Sequence, residues 1–147
     1  METYEEIKSF LDSHEDIEGI LTVDMDLIRE PSKSKFECAD RYVQKFGFNG
    51  LDKRWHILNK EEAAESLSMI LHKSLAYSVE MMPLKTAKHI ADKFLCQFDP
   101  RNSKFLSNGH ISEHSASWNP ITQSTMEMAV VVIDGKSIGI ICAEDED

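Results

Sequence analysis

The stretch MEMAVVVIDGKSIGIICA, residues 126–143, limits the folds open to this chain more than any other part of it. Asp134-Gly135 stands between two runs of β-branched residues, the strongest short-range signal for a β-hairpin. A two-residue turn at that pair sets Ile133 opposite Lys136 and Val131 opposite Ile138. Both faces of such a hairpin are largely apolar, which places it in the middle of a sheet with helices over one side and part of the other. From Gly19, GILTVDMDLI puts Leu21, Val23, Met25 and Leu27 on one face and Thr22, Asp24 and Asp26 on the other. That period of two marks a half-buried strand whose acids are expected to face solvent. KRWHIL (53–58) and the stretch around Trp118 suit further short strands, whereas DPRNSKFLSNGHISEHSASWN (99–119) has the composition of a loop. Some order is still expected there, because a structureless loop of about 20 residues is uncommon in a compact domain.

Helices to cover the sheet announce themselves through their caps. Thr3 with Glu6 forms a capping box ahead of Ile7, Phe10, Leu11 and His14, predicting a helix over 3–15. Ser34 with Glu37 repeats the pattern ahead of Phe36, Ala39, Val43 and Phe46, and Gly47 ends that helix. Asn59 with Glu62 opens a third, striped by Ala63, Leu67, Ile70, Leu71 and Leu75. Pro83 suits the first turn of a fourth, with Leu84, Ala87, Ala91, Phe94, Leu95 and Phe98 at helical spacing. The fold class is α+β: about four amphipathic helices packed on a small, mostly antiparallel sheet that ends in the C-terminal hairpin, as a single domain over 1–147.

A domain of this length buries roughly two thirds of the surface its unfolded chain exposes, so its core needs no staple. Cys38, Cys96 and Cys142 are far apart and flanked mostly by apolar residues, as expected of buried free thiols in a reducing compartment. No apolar run approaches the roughly 20 residues that a spanning helix needs. METYEEIK also lacks the basic and apolar regions of a secretion signal, so a cytoplasmic protein without a membrane partner is expected.

The net charge of −10 is unevenly spread. Residues 1–30 carry ten acids against Lys8 and Arg29, 31–105 carry nine acids against thirteen bases, and 106–147 carry seven acids against Lys136 alone. Chain termini often lie close together in a domain, which would join the two acidic segments in one negative face. Such a face repels nucleic acid and speeds the arrival of basic proteins. Its expected members are Asp24, Asp26, Glu144, Asp145, Glu146 and Asp147, with Glu15, Asp16 and Glu18 next, and Trp118 as an aromatic anchor.

Catalytic and metal-binding alternatives find less support. HISEH, 110–114, matches the H-x-x-E-H pattern of some zinc proteases, but that chemistry needs both histidines on one helical face and a third ligand. Asn108, Gly109 and the surrounding serines oppose a helix there, and a polar surface loop is the expectation. Asp24-x-Asp26 with the terminal acids could offer oxygen ligands, yet no EF-hand loop or glycine-rich phosphate loop accompanies them. A small hydrolase would draw on His56, His89, His110 and His114, while His14 and His72 sit near apolar stripes as packing residues. Lys85, Lys88, Lys93, Arg101 and Lys104 could touch phosphates, though without interleaved aromatics they suit a solvated helix face. Neither a cofactor, a metal nor catalysis is expected.

W-N-P-I-T (118–122), the apolar strand after it, the short turn, the strand resuming at Ile138-Gly139 and the terminal E-D-E-D together resemble the C-terminal half of small bacterial immunity proteins. The resemblance covers about the last 30 residues of the sequence. Those proteins belong to polymorphic and contact-dependent growth inhibition systems and neutralise a cognate toxin domain by binding it. The resemblance implies a toxin inhibitor that acts through protein–protein contact, as a monomer in a 1:1 complex. An acidic surface suits a nuclease target, above all a ribonuclease, because an enzyme that grips phosphates presents a basic site. An acidic regulatory adaptor for a basic cellular protein would require the same surface.

Overall fold

Residues 2–147 are described by a computed structural model of the chain, and the C-terminal hairpin forms its middle. The strands are β1 (Ile20–Leu27), β2 (His56–Leu58), β3 (Lys104–Ser107), β4 (Gly109–Ile111), β5 (Ala116–Trp118), β6 (Met126–Ile133) and β7 (Ser137–Asp145). Five of them form one sheet in the order β1-β7-β6-β3-β2, each antiparallel to its neighbour, while β4 and β5 form a separate small hairpin. The helices are α1 (Tyr4–Ser13), α2 (Lys35–Gln44), α3 (Lys60–His72) and α4 (Leu84–Leu95), with a 3-10 turn at Asp52–Arg54. Thr3, Ser34 and Asn59 each cap a helix as expected, accepting from the N–H of Glu6, Glu37 and Glu62, and only Asn59 closes a full capping box. Pro83 occupies the cap position of α4. Among the described residues no helix is long and apolar enough to cross a membrane.

Alternation along β6 and β7 divides the interior into two cores, which makes the pair apolar on both faces. Met128, Val130, Val132 and Ile141 join Val23 beneath α1, α3 and α4. Ala129, Val131, Ile138, Ile140 and Cys142 face the other way, beneath α2, Leu51, Trp55 and Ile121. Gly139 makes room on the first side: a Cβ there would stand 2.7 Å from the Phe98 ring, which packs edge-on against Phe94. On the second side Asp40 ties α2 to the 3-10 turn, accepting from the N–H of Leu51 and Asp52 and from Trp55 Nε1 at 2.7 Å.

Several details differ from the sequence-based expectations. β3, within the stretch expected to be loop, is an inner strand between β6 and β2. The hairpin register differs too: Ile133 faces Ile138 and Val131 faces Ile140. The reason is the Asp134 carboxylate, which accepts from the N–H of Lys136 at 2.8 Å and of Ser137 at 2.6 Å and closes the turn around Gly135-Lys136. Leu75 and Phe98 lie beyond their helices, and of the three free cysteines Cys142 is buried, Cys38 half-buried and Cys96, at the end of α4, exposed. Burial pushes the Cys142 thiol well above its usual range.

Asp134 also accepts from the N–H of Asp99 at 2.8 Å, tying the hairpin to the segment after α4. Burial would raise its pKa, but these three N–H groups outweigh it and hold the carboxyl below the ordinary aspartate value of 3.8. Folding favours the charged form, so its contribution is complete above the unfolded pKa and fades as pH falls through the folded one. Asp134→Ala is expected to cost about 2 kcal/mol and Asp134→Asn, which keeps one acceptor, about 1 kcal/mol. In urea titrations the gap between Asp134→Asn and the parent should hold steady above about pH 5 and shrink below about pH 4. A gap undiminished in acid would remove this assignment.

Candidate docking surface

β1 begins beside the end of β7, with Ile20 paired to Glu144. Gly19, at φ 73°, approaches so closely that an added Cβ would overlap the Glu144 carbonyl oxygen, so only glycine fits. Glu15, Asp16 and Glu18, all exposed, therefore stand at the same end of the sheet as Glu144, Asp145, Glu146 and Asp147. The terminal acids are anchored, and Glu144 and Asp145 belong to β7 itself. Glu144 accepts from the Ser124 hydroxyl at 3.0 Å, and Glu146 from the Thr125 hydroxyl at 2.7 Å. Among the described residues none of these seven carboxylates lies within 4.0 Å of a lysine, arginine or histidine nitrogen.

Asp24 and Asp26 do not join them. Their strand runs away from the acidic end, and Asp26 sits opposite Ile138, six residues and about 20 Å from Glu144 along β7. Nor do they face open solvent, as the alternation suggested, because both are half-buried beside α2. The Tyr42 hydroxyl donates to Asp24 at 2.6 Å, and burial together with that bond holds the phenol protonated far above its usual range. Asp26 is paired with Arg29 at 2.8 Å and Lys45 at 3.6 Å, and the Arg29 bond, with the Leu27 N–H, holds its carboxyl below the usual range.

Beside the acidic end, the loop between α3 and α4 carries two exposed apolar side chains, Tyr77 (69% exposed) and Val79, and Leu84 at the start of α4 adds a third. The loop is held from several directions. His14 Nε2 bonds the Met81 carbonyl at 2.6 Å, His72 Nδ1 bonds the Met82 carbonyl at 2.7 Å, and the Glu18 N–H meets Met81 Sδ. The N–H of Ala76 donates to Asp145 Oδ2 at 3.0 Å. Asp145→Ala should release that N–H, speeding its hydrogen exchange about fivefold to tenfold, the factor that roughly 1 kcal/mol gives. Asp145→Asn retains an acceptor oxygen and should restore most of the protection; equal rates in the two variants would contradict the role given to this bond.

On its other flank the loop borders a groove of about 910 Å³ between α3, α4 and the β4–β5 hairpin. Its apolar lining comes from Met69, Leu75, Leu84, Ile111, Trp118 and Met126. Trp118 is half-buried and serves both as packing on the first core and as groove wall. Met126 links groove and acidic end, since it pairs with Asp145 across β6 and β7.

One buried carboxylate had not been anticipated. Glu127 is 1% exposed, and its oxygens accept from Asn108 Nδ2 (3.0 Å), Ile121 N–H (2.8 Å), Thr122 N–H (2.9 Å) and the Thr122 hydroxyl (2.7 Å). Asn108 in turn bonds Ala129 N–H and the Asn119 carbonyl. This network fixes residues 119–122 as a strap that carries Ile121 into the second core, while Trp118 stays on the first. The network's one sequence signal is a charge within an otherwise apolar strand, MEMAVVVI.

HISEH supplies the end of β4 and part of the turn of the β4–β5 hairpin instead of a helix, with His110 on β4 and His114 exposed in the turn. His110 packs on His56 with ring centroids 4.3 Å apart, and burial, with His110 beside it, lowers the His56 pKa. His89 is on the exposed side of α4, so the four histidines do not form one cluster. Among the described residues no three His, Cys, Asp or Glu side chains stand where they could share a metal ion. On α4, Lys93 is paired with Glu2 at 3.0 Å. No family model, curated protein or solved structure matches this chain.

Proposed function

We propose that this chain is a non-catalytic bacterial immunity protein that binds a basic toxin domain and blocks it, using the acidic end of its sheet. The observation that carries this reading is the gathering of Glu15, Asp16, Glu18, Glu144, Asp145, Glu146 and Asp147 without a cationic side chain in reach among the described residues. Like charges so placed repel one another, a cost that a partner carrying lysine and arginine relieves on docking. A nuclease has such a surface, and fast electrostatic capture limits the damage done before inhibition. The proposed complex contains one copy of each chain and acts in the cytoplasm. The test is whether the neighbouring reading frame encodes a toxin domain, whose absence would count against the proposal, and then co-expression with that domain. A complex of one copy each on gel filtration, with loss of nuclease activity, is expected; a fully active toxin that elutes alone would refute the proposal.

A further inference from the structure

Steering charges alone do not hold a complex together, because exposed charges are screened and contribute little per pair. Long residence needs apolar side chains that leave water on docking. We infer that the groove between α3, α4 and the β4–β5 hairpin, together with the exposed Tyr77 and Val79 on the loop that lines one side of it, receives a segment of the basic partner in which apolar side chains stand beside lysines or arginines. This rests on the proposed function and deepens it.

The choice of occupant follows from the chemistry of the surface. Leu84, in the first turn of α4, and Tyr77, on the loop before it, are 42% and 69% exposed although that loop is bonded in place, so little ordering entropy is lost on docking there. Inside the groove Glu65, Asp92 and Glu113 roughly balance Lys73 and Lys88, and the surplus negative charge lies next to it at the end of β7. An apolar segment flanked by cations satisfies both regions at once. A purely cationic segment uses only the acidic end, and an acidic one is repelled. Trp118 suits the apolar part and can also take a cation over its ring.

The probe is an acetylated and amidated nonapeptide of alternating lysine and leucine, titrated into the full-length ¹⁵N-labelled chain, with a glutamate–leucine peptide and nonalysine as controls. The lysine–leucine peptide should shift the Trp118 indole N–H and the amides of residues 73–84 together with those of 144–147. Nonalysine should shift the acidic end alone, and the glutamate–leucine peptide neither region. Leu84→Asn and Tyr77→Ser alter exposed side chains, and each should weaken lysine–leucine binding about tenfold while leaving nonalysine binding unchanged. If the lysine–leucine peptide shifts only the acidic end, or binds Leu84→Asn as tightly as the parent, the groove assignment is overturned and the acidic end stands by itself. If neither basic peptide shifts either region, the proposed function falls as well.

Discussion

Glu127→Ala should lower the stability of this protein by about 3–5 kcal/mol, a large part of the total for a single domain. The carboxylate is held by four hydrogen bonds and no cation. Removing it leaves the buried N–H of Ile121, the part-buried N–H of Thr122 and one of the two N–H bonds of the Asn108 amide without an acceptor, and each buried orphan costs about 1–3 kcal/mol. Ile121, fully buried in the second core, loses the anchor of its main chain. Glu127→Gln keeps one acceptor oxygen but turns an N–H₂ group toward another donor, so a smaller loss of about 2 kcal/mol is expected. Urea unfolding measures both through a lowered midpoint at unchanged slope. A loss below about 1 kcal/mol for Glu127→Ala would show that water replaces the carboxylate and that the strap does not depend on it.

Where the sequence carried a local signal, it located the element. Thr3, Ser34 and Asn59 each mark a helix start that the structure keeps, and the β-branched runs on either side of Asp134-Gly135 mark the central strands. β3 was illegible because KFLS is four residues long and owes its place to pairing with β6 and β2 on either side. The hairpin register was missed for a related reason. An Asp-Gly pair suggests a turn through a left-handed glycine, whereas the Asp134 side chain took over the closing hydrogen bonds.

The candidate surface was only half legible. Acids at both ends of the chain did suggest a shared face, and Glu15, Asp16 and Glu18 do reach the terminal acids through Gly19. Alternation placed Asp24 and Asp26 on the face opposite Val23, but it could not reveal that α2 supplies Tyr42 and Lys45 to that face. The loop bearing Tyr77 carried no signal, since its shape comes from bonds to His14, His72 and Asp145, distant in sequence or on other elements.

The second large effect concerns the rate of capture. Converting Glu15, Glu18 and Glu146 to Gln, and Asp16 and Asp147 to Asn, removes five negative charges that have no cationic neighbour within 4.0 Å among the described residues. Association with the toxin domain should slow about 10- to 100-fold at low salt, and the steep dependence of that rate on ionic strength should flatten. Dissociation should change far less, because exposed charges guide encounter more than they hold the complex. Asp24→Asn with Asp26→Asn is the control for position: it removes two charges, from groups already bonded to Tyr42, Arg29 and Lys45 farther along the strand. The decisive measurement is the association rate constant of parent, five-fold variant and control by stopped flow from about 0.02 to 0.5 M salt. The account predicts a slow, nearly salt-independent rate for the five-fold variant and parental behaviour for the control, within about twofold. Parental rates and salt dependence in the five-fold variant would contradict it.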